Sequence, residues 1–246
     1  MTGFAPRSPG SGLELGPGEI HVWSIRLDPP PEQVESLGRS LAADEWERAR
    51  RFRFDKHRRQ YVVGRGALRT LLAAYLGTRP EAVSFSYGPR GKPFLAPPFD
   101  RGLQFNLSNS DELALAGFVR GREIGVDVEF LRRMTDCEEI AERFFSESER
   151  RVLRTIPFPA KQEAFFNCWT RKEAYLKAVG EGLAAPLDSF DVTLALGEPP
   201  RMLTLNGDAG RAAPWFFHHL RPAAEYLGAI AIEGGRWEVR TWELAL

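Results

Sequence analysis

Cysteine is scarce in this chain: there are two in 246 residues, Cys137 and Cys168. Neither their number nor their spacing supports a zinc knuckle or a disulfide framework. Two reduced thiols in a cytosolic protein is the expectation. Net charge is also missing, because 33 Lys and Arg balance 33 Asp and Glu. The field of the whole molecule therefore predicts neither a nucleic-acid nor a membrane partner. Long hydrophobic runs are absent. The longest, such as residues 71–76, fall far short of the ~20 apolar residues that span a bilayer. The opening residues 1–18 are rich in Gly, Pro and Ser and lack the apolar core of a secretion signal. A cytoplasmic protein is expected. What is present is ordinary for a globular chain: 43% apolar and 27% charged residues. This length builds one large domain or two small ones.

Residues 1–18 read as a flexible leader, too rich in Gly and Pro to pack. Residues 20–27 alternate and predict a strand, ended by Asp28-Pro29-Pro30-Pro31. Helices are expected at 32–40 and 43–53. Residues 60–76 carry apolar side chains at helical spacing, and Gly77 would stop that helix. Between Arg48 and Arg69 nine Lys or Arg face one acid, Asp55. Taken alone, such a run is a solvated helix face. Residues 83–87 suggest a strand, 88–93 a turn, and 105–108 a short extended piece. Residues 113–119 and 124–130 read as two antiparallel strands joined by Arg120-Gly121-Arg122. Ser146-Glu147-Ser148-Glu149 has the form of a capping box. Residues 161–179 give the clearest helix, closed by Gly180. Strand-like runs follow at 190–196, 226–232 and 237–244. The order predicts an α+β fold in two parts of similar make-up, 19–120 and 121–246.

Three pieces could carry chemistry. In Ile124-Gly125-Val126-Asp127-Val128-Glu129-Phe130 alternate residues share a face, so Asp127 and Glu129 point the same way. Two carboxylates on one side of an apolar strand call for a cation, and Mg²⁺ suits sparse carboxylates plus phosphate oxygens. The bland account is an edge strand with a solvated acidic face. In the helix, Phe165, Trp169, Glu173 and Lys177 follow at i, i+4, i+8 and i+12. The first two belong to the buried side, and the last two leave the core near its edge. The bland account is an ion pair worth ~0.3 kcal/mol. Phe105-Asn106-Leu107-Ser108-Asn109-Ser110 offers short polar side chains and backbone N–H groups that could hold a phosphate. By itself it is a turn.

Together, the pieces form a pattern. Gly91-Lys92-Pro93, Phe105 to Ser110, Gly125-Val126-Asp127-Val128-Glu129, Phe144-Phe145-Ser146 and Trp169-Thr170-Arg171-Lys172-Glu173-Ala174-Tyr175-Leu176-Lys177 stand in one order. Gly180-Glu181-Gly182-Leu183 and Pro186-Leu187 extend it. This order resembles the Sfp-type 4′-phosphopantetheinyl transferases over roughly residues 45–195. The resemblance implies two similar α+β halves related by a pseudo-twofold, with CoA and Mg²⁺ in the cleft between them. It implies that Asp127, Glu129 and Glu173 bind Mg²⁺, with Mn²⁺ as a substitute, and that Glu173 and Lys177 are catalytic. Lys92, Pro93, Ser108, Asn109, Arg59 and Lys177 would contact CoA, and the basic stretch 48–69 would meet its phosphates. The implied reaction moves phosphopantetheine from CoA to a serine of an apo carrier protein. Such carriers serve fatty-acid, polyketide or nonribosomal peptide synthases. A monomer is implied, since one chain supplies both walls of the cleft. Aromatic residues around Phe144–Phe145 and Phe165–Phe166 are candidates for the lip that meets the carrier, with packing in the core as the bland account.

Two positions depart from the family. His usually follows the Ser of the Asn-x-Ser motif, and here Asn109 stands there. An Arg usually stands where this chain has Gln60, with Arg59 beside it as a substitute. These departures favour an alternative, a CoA-binding protein without transferase activity. The intact set Asp127, Glu129, Glu173 and Lys177 favours the enzyme.

Overall fold

The computed structural model describes residues 4–10, 12–100, 102–180 and 186–246. The Glu181-Gly182-Leu183 part of the family pattern lies outside them. In chain order the elements begin with β1 (Ala5–Arg7), β2 (Glu19–Arg26), α1 (Pro31–Gly38), α2 (Ala43–Arg50) and α3 (Asp55–Leu76). Next come β3 (Phe85–Tyr87), β4 (Pro93–Leu95), β5 (Leu103–Ser110), β6 (Leu113–Arg120) and β7 (Ile124–Phe130). After them stand α4 (Cys137–Phe144), α5 (Glu147–Thr155) and α6 (Phe158–Val179). The chain continues through β8 (Phe190–Val192), β9 (Met202–Leu205), α7 (Ala209–Ala212), β10 (Trp215–Leu220), β11 (Tyr226–Glu233) and β12 (Glu238–Leu244).

Local chemistry sets the helix limits. Both long helices end at a glycine in the left-handed region, Gly77 at φ 65° and Gly180 at φ 73°. The expected capping box opens α5. Ser146 Oγ accepts the Glu149 N–H at 3.2 Å, and the Glu149 carboxylate accepts the Ser146 N–H at 2.9 Å. Pro159 sits in the first turn of α6, where its missing N–H costs nothing.

The α+β fold is built in four layers. One sheet has five strands in the order β1-β12-β2-β6-β5, and a second has three in the order β10-β11-β7. On one face of the larger sheet, Trp23, Ile25, Phe105 and Phe118 pack with Val63, Leu68, Leu71 and Leu72 of α3. Its other face offers Ile20, Val22, Leu113 and Leu115 to Val126, Val128, Ile230 and Ile232 of the smaller sheet. The outer face of that smaller sheet, with Leu227, Ala229 and Ala231, packs on Phe165, Cys168, Ala174 and Ala178 of α6. No helix among the described residues is long and apolar enough to cross a membrane.

Three expectations are corrected. First, β6 and β7 are not a hairpin. β6 already has β2 on one edge and β5 on the other, while β7 pairs with β11 from Ile124↔Ile232 to Phe130↔Tyr226. The turn after Arg120 takes the chain from one sheet to the next. Second, the described part of the leader packs. Ala5–Arg7 pairs in parallel with residues 242–244, and Leu13 and Leu15 are buried in the core. The Arg7 guanidinium lies 4.6 Å from the centre of the Trp242 ring. Gly and Pro thin the leader's apolar content, but two leucines and three ladder positions suffice to dock it. Third, the run 190–196 is a strand only to Val192. Sequence alternation did not reveal β9 and β10.

Inside the C-terminal part lies a buried ion pair. Lys172 is fully buried, and its Nζ is 2.9 Å from Glu149 Oε2. It also donates to the carbonyls of Leu187 at 2.7 Å and Phe190 at 2.5 Å. Removing one partner leaves an uncompensated charge. Lys172→Ala should destabilise the fold by ~3–5 kcal/mol, measured by urea unfolding. A change below about 1 kcal/mol would show that Glu149 finds other partners, a loss no larger than a median surface salt bridge.

Candidate functional site

β7 lies between α6 and the larger sheet, and its pleat divides the side chains between them. Val126 and Val128 face the sheet, while Gly125, Asp127 and Glu129 face the side of α6. A Cβ built at Gly125 would fall 1.8 Å from the Ala174 carbonyl oxygen. Only glycine lets strand and helix touch backbone to backbone here. That contact brings Glu173, one residue before Ala174, to the carboxylates of β7.

The larger sheet contributes from below. Ser108 Oγ donates to Asp127 Oδ1 at 2.9 Å, and Lys177 Nζ donates to the same oxygen at 2.6 Å. Lys177 also donates to Ser108 Oγ at 2.7 Å. Ser110 Oγ donates to Glu129 Oε2 at 2.7 Å. Asp127 and Glu129 from β7 and Glu173 and Lys177 from α6 are thus brought together.

The electrostatics are those of crowded, buried acids. Burial, then the Asp127 charge, pushes the Glu173 carboxyl up to about 6, against an opposing pull from Lys177. Burial, then Asp127, raises Glu129 as well, and the Ser110 hydrogen bond pulls the other way. Among the described residues no three Asp, Glu, His or Cys side chains form a ready cage around one ion. The donor set nonetheless fits a hard divalent cation. Asp127 Oδ2 and Glu173 Oε1 are buried oxygens without a hydrogen-bond partner, and such atoms are costly unless a cation or donor meets them.

Beside this cluster, a groove of about 370 Å³ runs between α3, β5 and the turn before β4. Pro93, Asn109 and Gln60 line it, together with Arg48, His57, Arg65 and Tyr87. His57 and Tyr87 escaped the sequence reading, because neither sits in a motif. Arg59 is not there; it lines a separate groove with Arg58, Trp46 and Pro31. Lys92 Nζ lies 2.7 Å from the Glu123 carboxylate and donates to the Ala178 carbonyl at 3.2 Å, at the C-terminal end of α6. Ser108 is buried and committed to Asp127 and Lys177.

The basic stretch 48–69 is less free than its composition suggested. The buried Glu45 carboxylate pairs with both Arg65 and Arg69, the latter at 2.7 Å. Lys56 pairs with Asp111 and Glu112, each at 3.1 Å, and Arg58 pairs with Asp55. Of the aromatic candidates for a docking lip, Phe145, Phe165 and Phe166 are core, stacked or edge-on to one another. Phe144 is 40% exposed.

Sequence comparison places these residues in a family. Residues 123–231 match the 4′-phosphopantetheinyl transferase superfamily, and residues 26–118 match the N-terminal region of a 4′-phosphopantetheinyl transferase. The chain is 42% identical over 240 residues to the 4′-phosphopantetheinyl transferase HetI of Nostoc sp., covering 97% of both chains. The chain belongs to the 4′-phosphopantetheinyl transferase family. Another member, the 4′-phosphopantetheinyl transferase Sfp of Bacillus subtilis, is 29% identical over 177 residues, 71% of this chain and 77% of that one. Among solved structures, a holo-(acyl-carrier-protein) synthase from Bacillus anthracis in complex with CoA (3′,5′-ADP) overlaps 46% of this chain and 96% of that one. With a TM-score of 0.36 and 24% identity, that likeness is too loose to bear on the site. Both matched regions of the family meet at the β6–β7 crossing, where the carboxylates begin.

Proposed function

We propose that this phosphopantetheinyl transferase moves the 4′-phosphopantetheine arm of CoA to a serine of an apo acyl or peptidyl carrier. The product left behind is adenosine 3′,5′-bisphosphate. The observation that carries the reading is the meeting of Asp127, Glu129, Glu173 and Lys177 beside a basic groove, in a chain of this family. The carriers are those of fatty-acid, polyketide or nonribosomal peptide synthases. The groove residues come from part 19–120 and the carboxylates from part 121–246, so one chain would suffice as a monomer, and a cytoplasmic location belongs to the same reading.

Asp127, Glu129 and Glu173 would hold Mg²⁺, or Mn²⁺ in its place. Such an ion supplies charge neutralisation at pyrophosphate oxygens. Phosphoryl transfer otherwise asks for in-line positioning and a proton acceptor. The groove with Arg48, Pro93 and Asn109 receives the nucleotide end of CoA, and Lys92, held by Glu123 and the Ala178 carbonyl, would have to leave those partners to reach it. The serine oxygen bonds to the β-phosphorus as the bond to the bisphosphate oxygen breaks. Glu173 takes the serine proton, directly or through a water. Without a cation this carboxyl ionises at about 6, so at neutral pH it is deprotonated and able to accept that proton. Lys177 offsets the charge that grows on the leaving bisphosphate.

The test is intact-mass spectrometry of apo carriers incubated with the protein, CoA and Mg²⁺, with and without EDTA. A mass gain of one phosphopantetheine that EDTA abolishes is the expected result. Failure to modify any acyl or peptidyl carrier, with CoA still bound, would establish the silent binder in its place.

A further inference from the structure

β5 and β7 belong to different sheets, yet they run side by side in register. Ser108 meets Asp127 and Ser110 meets Glu129, and both pairs are 19 residues apart in sequence. No backbone ladder joins the two strands. Polar side chains on one face of β5 do so instead. Asn106 Oδ1 accepts the Val126 N–H at 2.8 Å, and Ser110 Oγ accepts the Phe130 N–H at 3.1 Å.

Ser110 therefore makes two bonds with one oxygen. A backbone N–H can only donate, so the Phe130 amide fills a lone pair of the hydroxyl. The hydroxyl's single proton is left for Glu129 Oε2. Satisfying the outer edge of β7 needs an acceptor alone, as Asn106 shows four residues earlier. The bond to Glu129 goes beyond that need. Glu129 is half-buried and repelled by the Asp127 charge. A glutamate with free torsions relieves such repulsion by swinging to water. Ser108 cannot prevent this, because its proton serves Asp127.

We propose that Ser110 is a positioning residue for Glu129, pinning one carboxylate oxygen so that the other stays with Asp127 and Glu173. The inference rests on the reading of these carboxylates as ligands of a divalent cation. Partners that hold a metal ligand from behind typically change metal affinity by 10–100-fold when removed.

The experiment is Mn²⁺ titration of the full chain, without CoA or carrier, followed by the electron paramagnetic resonance signal of the free ion. Ser110→Ala should weaken Mn²⁺ binding by about tenfold or more. Ser110→Thr keeps the hydroxyl and should stay close to the parent's value. A lower melting temperature for Ser110→Ala is expected from the lost Phe130 acceptor and is not the readout. Glu129→Gln separates the two claims. If it leaves Mn²⁺ affinity unchanged, the cation reading fails and takes this proposal with it. If Glu129→Gln weakens binding while Ser110→Ala matches the parent, the positioning role alone is overturned. Ser110→Thr behaving like Ser110→Ala overturns it too.

Discussion

Glu173→Gln should lower the rate of carrier modification by ~10²–10⁴-fold, the range typical of a lost general base, and at the same time make the protein more stable. The amide keeps the shape of the side chain but neither takes a proton nor offers a charged ligand. The stability gain follows from the raised Glu173 carboxyl, which ionises at about 6 against an ordinary 4.5. Below about pH 4.5 the carboxyl is protonated in folded and unfolded chains alike, so no charge is buried. Between pH 4.5 and 6 the folded state holds a proton that the unfolded state has lost, and stability falls as pH rises. Above 6 the full cost of the buried charge is present. For a half-buried group that cost is ~1–2 kcal/mol. Glu173→Gln should therefore melt a few degrees higher than the parent at pH 7.5 in EDTA, and no higher at pH 4.5. An equal gain at both pH values would refute the buried-charge account. Near-parental turnover would remove Glu173 from the mechanism.

Gly125→Ala is the second large effect, and it carries no charge at all. The added methyl would stand 1.8 Å from the Ala174 carbonyl and 2.4 Å from the Ala178 nitrogen. Both are backbone atoms in the last two turns of α6, so no side chain can turn aside. Overpacking a core typically costs ~1–3 kcal/mol, and against fixed backbone this change should reach or exceed the upper figure. Activity should fall further than stability predicts, since α6 carries Glu173 and Lys177 while β7 carries Asp127 and Glu129. Pushing the helix off the strand separates the two pairs. Thermal melting and carrier modification on the same preparation check this. An unchanged melting temperature would mean that α6 lies farther from β7 than described.

These residues show what a sequence can and cannot say. Strict strand alternation puts Asp127 and Glu129 on one face, and the helical repeat does the same for Glu173 and Lys177, but the resemblance to a family is what singled the four out as a site. The helix ends were legible because Gly77 and Gly180 are local signals. The two-bond role of Ser110 was not, because it depends on β5 and β7 meeting from different sheets. The β6–β7 hairpin was misread for a related reason. Two adjacent apolar strands suggest pairing, and only the partners β2, β5 and β11 reveal that the available edges are taken. Phe165 reads as buried from its helical spacing, and Phe145 and Phe166 are core with it, so of the four aromatic candidates Phe144 alone is exposed. The leader's strand was hidden by distance, since Ala5 pairs with Trp242.

That distance matters beyond the leader. β12 runs between β1 and β2, with Glu238 beside Glu19 and Trp242 beside Trp23. During synthesis the β2 edge thus waits, apolar and unpaired, until residues 238–244 have been made. Exposed edges of this kind recruit other chains, and contacts so remote in sequence form slowly. The sheet that β2 belongs to cannot be completed until residues 238–244 are available, and its open edge is exposed to misassembly until then.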